Sequence, residues 1–194
     1  MEFVTGPVKS EELQSKKKRL LELIIEKAVE KKAEGFTLAS GVKSNLYVDL
    51  RKISLDPEGI NLVGSLVLAE IRELAPEASH VGGLETGSIP ISTAVALLSE
   101  KDSKPISAFW VRKKQKDHGT QSLIEGGIRK DAKVVIVDDV ITTGGSSLQA
   151  ASAVKDFGAT VVQAIAIVDR GAKDNFRKAD IPYYAFFSEK DLAK

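Results

Sequence analysis

The sequence predicts an α/β domain built on a central parallel sheet with helices on both faces. Two observations carry this expectation. Apolar runs of strand length recur at His80 to Gly83, Ile106 to Arg112, Val134 to Val137 and Val161 to Asp169, and segments of helical periodicity lie between them. Strands that alternate with helices run parallel, because each helix is the crossover that parallel pairing requires. The runs also lack polar alternation. Val134, Val135, Ile136 and Val137 are all β-branched, the pattern of a strand covered on both faces.

Taken in order, the elements are these. Leu13, Leu20, Leu21, Ile24, Ile25, Ala28 and Val29 fall at helical spacing, so an amphipathic helix is expected over residues 10–33, ended by Gly35. The basic run Lys16 to Arg19 reads as the solvated face of that helix. From Phe36 to Arg51 the chain reads as an extended hairpin turning near Gly41. Pro57 starts a second helix that runs through Leu62, Leu66, Ala69 and Ile71 to Leu74. A third helix follows the strand at His80, over Ile89 to Leu98. A fourth runs from Ser147 to Phe157, and a last apolar segment spans Tyr183 to Phe187.

Composition narrows the function classes. A chain of 194 residues with 43% hydrophobic content suits a single domain, 1–194. Its 28 basic and 27 acidic residues leave a formal net charge of +1, which gives no general attraction to nucleic acid. No apolar stretch is long enough to span a membrane, and the Glu- and Lys-rich start lacks a signal core, so no membrane partner and a cytoplasmic location are expected. Zero cysteines exclude disulfides, thiolate metal sites and a cysteine nucleophile. His80 and His118 are far apart in sequence, which argues against a histidine metal site.

The most informative stretch is VVIVDDVITTGGS, residues 134–146. An apolar strand leads to Asp138 and Asp139, which are expected to end it. Thr142, Thr143, Gly144, Gly145 and Ser146 then form a loop of bare amides and hydroxyls ahead of a helix. Such a loop is an anion cradle, since glycines let the backbone close around a phosphate and the helix N-terminus favours negative charge. The acids repel a phosphate but can accept hydrogen bonds from sugar hydroxyls. A ligand carrying a phosphate beside a ribose diol satisfies both halves. A second stretch, 112–127, places Arg112, Lys113, Lys114, Lys116 and His118 within seven positions and lacks periodicity. It reads as a long loop between core strands, with the charge that a lid closing over a polyphosphate needs.

These motifs resemble the signature of type I phosphoribosyltransferases, which bind phosphoribosyl pyrophosphate (PRPP). Arg112-Lys113 followed by Lys116-Asp117-His118-Gly119 resembles the catalytic loop of the orotate phosphoribosyltransferases. FTLASGVKSNLYVDLR (36–51) is similar to their substrate-side hairpin, and Val168-Asp169-Arg170 to the strand end that supplies an arginine to the base. The resemblance runs from about Phe36 to Arg170. It implies the type I fold, with a small hood formed mainly by the N-terminal segment (about 1–52) over an α/β core and tail (about 53–194).

It further implies transfer of phosphoribose from PRPP to orotate with magnesium, giving orotidine 5′-monophosphate and pyrophosphate in pyrimidine synthesis. Lys116, Asp138 and Asp139 are then the catalytic residues. PRPP is met by Arg112, Lys113, His118, Asp138, Asp139, by Thr142 to Ser146, and by Thr86, Gly87 and Ser88, which match the family's pyrophosphate loop. Orotate is met by Tyr47, Thr142 and Arg170. Magnesium is held mainly by PRPP and water, with no ligand directly from the protein, and the resemblance implies a homodimer with shared active sites. Two positions depart from the pattern: many members carry lysine where this chain has Ala39 and Gly87. A transferase for another base would keep the PRPP loop, and a PRPP-sensing regulator would add a DNA-binding domain or a strongly basic face. The near-neutral charge argues against the regulator.

Overall fold

The computed structural model describes residues 10–37, 43–114 and 122–193. They form α1 (Glu11–Leu23), β1 (Val29–Thr37), β2 (Lys43–Val48), α2 (Arg51–Ser54), α3 (Pro57–Leu74), β3 (His80–Leu84), α4 (Ser88–Leu98), β4 (Ser107–Val111), β5 (Ile124–Gly126), β6 (Lys133–Ile141), α5 (Gly145–Phe157), β7 (Thr160–Asp169), α6 (Lys173–Lys178), β8 (Tyr183–Ser188) and α7 (Glu189–Leu192). The main sheet has the order β5-β4-β3-β6-β7-β8, and β1 and β2 form a separate antiparallel pair. All main-sheet pairings are parallel except β4 with β5.

The uninterrupted apolar run of β6 follows from its position. Successive side chains of a strand point to opposite faces, and here both faces are covered. Val135 and Val137 pack with Leu66, Val67 and Ile71 of α3, Ile91 and Val95 of α4, and Leu20, Leu23 and Ile24 from the N-terminal helix. Val134 and Ile136 pack on the other face with Ala150, Ala151 and Val154 of α5 and Phe176 of α6. The ring of Phe176 stacks on Tyr183 at 4.4 Å. Helix α3 begins where Asp56 caps it, its carboxylate accepting from Gly59 N at 2.9 Å, with Pro57 in the first turn. Among the described residues no helix is long and apolar enough to cross a membrane.

Several expected boundaries are corrected. The opening helix does not reach residue 33. After Leu23 it widens into one π-helical turn, Ile24–Ala28, and the chain becomes β1 at Val29. Residues 30–34 are good helix formers, but pairing with β2, in the register Val29↔Val48 and Glu30↔Tyr47, overrides that propensity. Gly35 therefore lies inside a strand and ends no helix. The hairpin begins at Val29 rather than Phe36 and closes at Val48, and Arg51 opens α2 instead. Its expected turn at Gly41 lies outside the described residues. The acid pair does not end its strand: β6 continues to Ile141, with Asp138 opposite Ala166 and Val140 opposite Val168 on β7. Finally, the 112–127 segment is not loop throughout, because β5 pairs back on β4 as an antiparallel edge.

The topology fixes where a ligand can sit. From β3 the chain moves to β4 on one side, and from β6 to β7 on the other. The neighbouring strands β3 and β6 thus mark a switch point, and the loops leaving their C-terminal ends diverge to open a crevice.

Candidate active site

Three chain segments converge at that crevice. The loop after β3 carries Glu85, Thr86 and Gly87 into the start of α4, and its Glu85–Thr86 peptide bond is cis. The end of β6 brings Asp138 and Asp139, followed by the 142–146 loop. The end of β4 brings Arg112 and Lys113. Contact between the first two segments is close. A Cβ placed on Gly87 would lie 2.6 Å from Asp139 Oδ1 and 3.0 Å from Asp138 Oδ1. Glycine at 87 is therefore what lets the acid pair reach the β3 loop, and a side chain there has no room while the carboxylates keep this pose.

The carboxylates are held from their own strand and from α5. Asp139 Oδ1 accepts from Val140 N at 2.7 Å, and Asp138 Oδ1 accepts from Asp139 N at 3.1 Å. Ser147 in the first turn of α5 donates its hydroxyl to Asp138 Oδ2 at 3.0 Å. Burial, with the neighbouring Asp139 charge second, pushes the Asp138 carboxyl up to about 7, against the Ser147 hydrogen bond. Burial likewise raises Asp139, and the Asp49 charge adds to it. Two acceptors so placed take protons or hydroxyl donors readily, which suits a diol and not an anion.

The 142–146 loop has the geometry its composition demands. Gly144 caps α5 with φ of 84°, in the left-handed region that glycine favours, and its carbonyl accepts from Leu148 N at 2.8 Å. Thr143, Gly145 and Ser146 are exposed and Thr142 is half-buried. In the β3 loop Thr86 is exposed, while Ser88 is fully buried and donates its hydroxyl to Leu84 O at 2.8 Å. What Ser88 can offer a ligand is its backbone amide. Lys113 N donates to Glu85 Oε1 at 2.9 Å, which ties the root of the basic segment to the β3 loop. Arg112 pairs with Glu125 at 3.2 Å across the β4–β5 edge. Lys116 and His118 lie outside the described residues, as does Ala39.

On the hairpin side of the crevice, Tyr47 sits half-buried on β2 beside Leu46. Arg170 leaves the end of β7 with its side chain only 5% exposed, and its Nη2 donates to Leu46 O at 3.2 Å and to Glu189 Oε1 at 2.7 Å. One guanidinium thus links the hairpin, the end of β7 and α7.

Sequence reading did not single out Ser147, Glu189 or the Asp49–Arg51 pair. The last is a two-point fork, Arg51 Nε to Asp49 Oδ1 at 2.7 Å and Nη2 to Oδ2 at 2.9 Å. It holds the Asp49 carboxyl below its usual range and raises Arg51, whose cation also feels Asp139. Opposite charges two apart just after the hairpin were the available signal. Glu189 had none, because its partner is 19 positions away. Among the described residues no group of three or more His, Cys, Asp or Glu could hold a metal ion. The donor set still fits magnesium that arrives with a polyphosphate, since two carboxylates offer hard oxygen acceptors to its water shell.

Known proteins share this sequence pattern and this fold. The sequence pattern of the phosphoribosyl transferase domain matches residues 53–186. The orotate phosphoribosyltransferase of Aquifex aeolicus is 42% identical over 159 residues, covering 81% of this chain and 86% of that one. That of Methanocaldococcus jannaschii is 41% identical over 179 residues, covering 91% and 97%. Among solved structures, orotate phosphoribosyltransferase of Mycobacterium tuberculosis H37Rv in complex with PRPP has a TM-score of 0.73 at 34% identity, covering 92% of this chain and 99% of that one. With a family domain across most of the sequence and relatives this similar along nearly its whole length, the chain belongs to the orotate phosphoribosyltransferases of the phosphoribosyltransferase family.

Proposed function

We infer that the protein transfers the 5-phosphoribosyl group of PRPP to orotate, giving orotidine 5′-monophosphate and pyrophosphate on the route to UMP. The observation that carries this reading is the acid pair standing against the β3 loop at Gly87 and continuous with the 142–146 loop. That arrangement has one place for a diphosphate, one for a ribose and one for a 5′-phosphate, in that order along the crevice.

The roles follow from chemistry. Amides and hydroxyls of Thr142 to Ser146 take the 5′-phosphate at the N-terminus of α5. Asp138 and Asp139 accept from the ribose hydroxyls, and their charge opposes the positive charge that builds on the ribose ring as the glycosidic bond lengthens. Amides of Thr86, Gly87 and Ser88 face the pyrophosphate, and Arg112, Lys113, Lys116 and His118 neutralise it as it departs. Donors placed where charge grows stabilise the transition state more than the bound substrate. Magnesium bound to PRPP supplies further charge neutralisation on the leaving group. Tyr47 stacks on the pyrimidine, and Thr142 and Arg170 meet its polar edge. The Arg170 guanidinium already holds a carboxylate, that of Glu189, at 2.7 Å. A second carboxylate, from orotate, suits the same fork. The protein works as a homodimer in which Lys116 of one subunit serves the site of its partner.

The test follows orotate itself. Its ultraviolet absorbance should fall in the presence of the protein, PRPP and magnesium, and Arg170→Ala should raise the KM for orotate more than that for PRPP. An unchanged absorbance at full enzyme concentration would overturn the assignment.

A further inference from the structure

We propose that Asn175, on α6 and outside the substrate crevice, is a positioning residue that aims the Gly144 amide at the 5′-phosphate. This rests on reading 142–146 as the phosphate cradle. The side-chain amide of Asn175 donates from Nδ2 to Thr143 O at 2.8 Å, across 32 positions of sequence. The 143–144 peptide is trans and planar, so its C=O and N–H point in opposite directions. Fixing the carbonyl towards α6 therefore turns the Gly144 N–H away from α6 and into the loop.

The same helix packs behind that glycine. A Cβ at Gly144 would lie 3.1 Å from the Phe176 ring and 3.6 Å from Ala172 Cβ. Phe176 is in turn stacked on Tyr183 of β8, and Ala172 N donates to Asp169 Oδ1 at 2.9 Å, at the end of β7. Helix α6 is thus braced on the sheet, and Asn175 transmits its position to one peptide plane of the loop. At φ of 84° this glycine sits where no side chain restricts the plane, so a free peptide here would rotate between orientations. Pre-orienting the amide removes that freedom before the ligand arrives.

The test uses the whole enzyme and three variants. Asn175→Leu keeps the size and removes the donor, Asn175→Gln keeps the donor, and Ser146→Ala removes a hydroxyl from the cradle itself. Asn175 is half-exposed, and thermal melts identify any variant that fails to fold. Asn175→Leu should raise the KM for PRPP roughly tenfold with kcat and the KM for orotate within about twofold of wild type. Asn175→Gln should recover most of that loss. As a second readout, the Gly144 amide proton resonance should move downfield when wild type is titrated with ribose 5-phosphate, and that movement should shrink in Asn175→Leu. Equal KM values for PRPP in Asn175→Leu and wild type, with Ser146→Ala impaired, would overturn the positioning role alone. If neither variant changes the KM for PRPP and the Gly144 resonance stays still in wild type, the cradle reading falls and takes this one with it.

Discussion

Replacing Asp138 with asparagine should make the protein more stable at pH 8 while removing most of its activity. The carboxyl lies at about 7 in the folded protein against 3.8 for the free group, pushed there chiefly by burial and next by Asp139. A raised folded-state value means that the folded chain keeps its proton to higher pH than the unfolded chain. The associated stability is complete below about pH 4 and is lost as pH rises through 7. At about 1.4 kcal/mol per pKa unit the loss has an upper bound somewhat above 4 kcal/mol. The half-buried carboxylates keep an edge in water, which trims this to about 2–4 kcal/mol. For a chain of this size each kcal/mol shifts Tm by about 2–4 °C, so Asp138→Asn should melt roughly 4–16 °C higher than wild type at pH 8. At pH 5 the gap should be less than half of that, and near pH 4 the two should nearly coincide. Melting curves from pH 4 to 8 decide the matter, with kcat/KM measured alongside. A gap that is constant with pH, or a variant less stable than wild type at pH 8, would refute the reasoning. So would an unchanged kcat/KM.

Three further outcomes follow from the same geometry. Gly87→Ala should lower kcat/KM at least tenfold, because its Cβ must displace the Asp139 carboxylate from its bond to Val140 N; steady-state kinetics with normal melting would isolate the effect. Ser147→Ala removes the bond that lowers Asp138, so the acidic limb of the pH–rate profile should move to higher pH; an unmoved limb would mean that the two groups are uncoupled. Lys116→Ala and Asp139→Asn should each lose about 3 kcal/mol of transition-state stabilisation, about a hundredfold in rate. Hybrid dimers of the two should regain close to half of wild-type activity, and dead hybrids would place Lys116 in its own subunit's site.

The candidate site residues were legible where local sequence dictates local shape. A β-branched run, two acids and a Thr-Thr-Gly-Gly-Ser loop define a strand, a pair of acceptors and a helix N-terminus with little outside help. Pro57 after Asp56 gave the start of α3 for the same reason. What was not legible depends on pairing. Residues 30–34 have helical composition and become a strand because β2 lies beside them. Whether β6 stops at Asp138 or continues to Ile141 is settled by β7. The supports of the site, Ser147 under Asp138, Glu189 on Arg170 and Asn175 on Thr143, lie 9, 19 and 32 positions from their partners. Periodicity carries no record of such contacts.

The proposed crevice recognises a pyrimidine bearing a carboxylate and attaches it to the ribose of PRPP. The most direct measurement gives the protein PRPP and magnesium with orotate and uracil side by side, and compares kcat/KM from the nucleotide formed. Uracil lacks only the carboxylate, and because Arg170 keeps its bond to Glu189, losing the added charge-assisted pair should cost the analogue roughly ten- to a hundredfold. Orotidine 5′-monophosphate should form rapidly with only a trace of UMP, and the preference should largely collapse in Arg170→Ala. Equal turnover of uracil and orotate by the wild-type protein would contradict it.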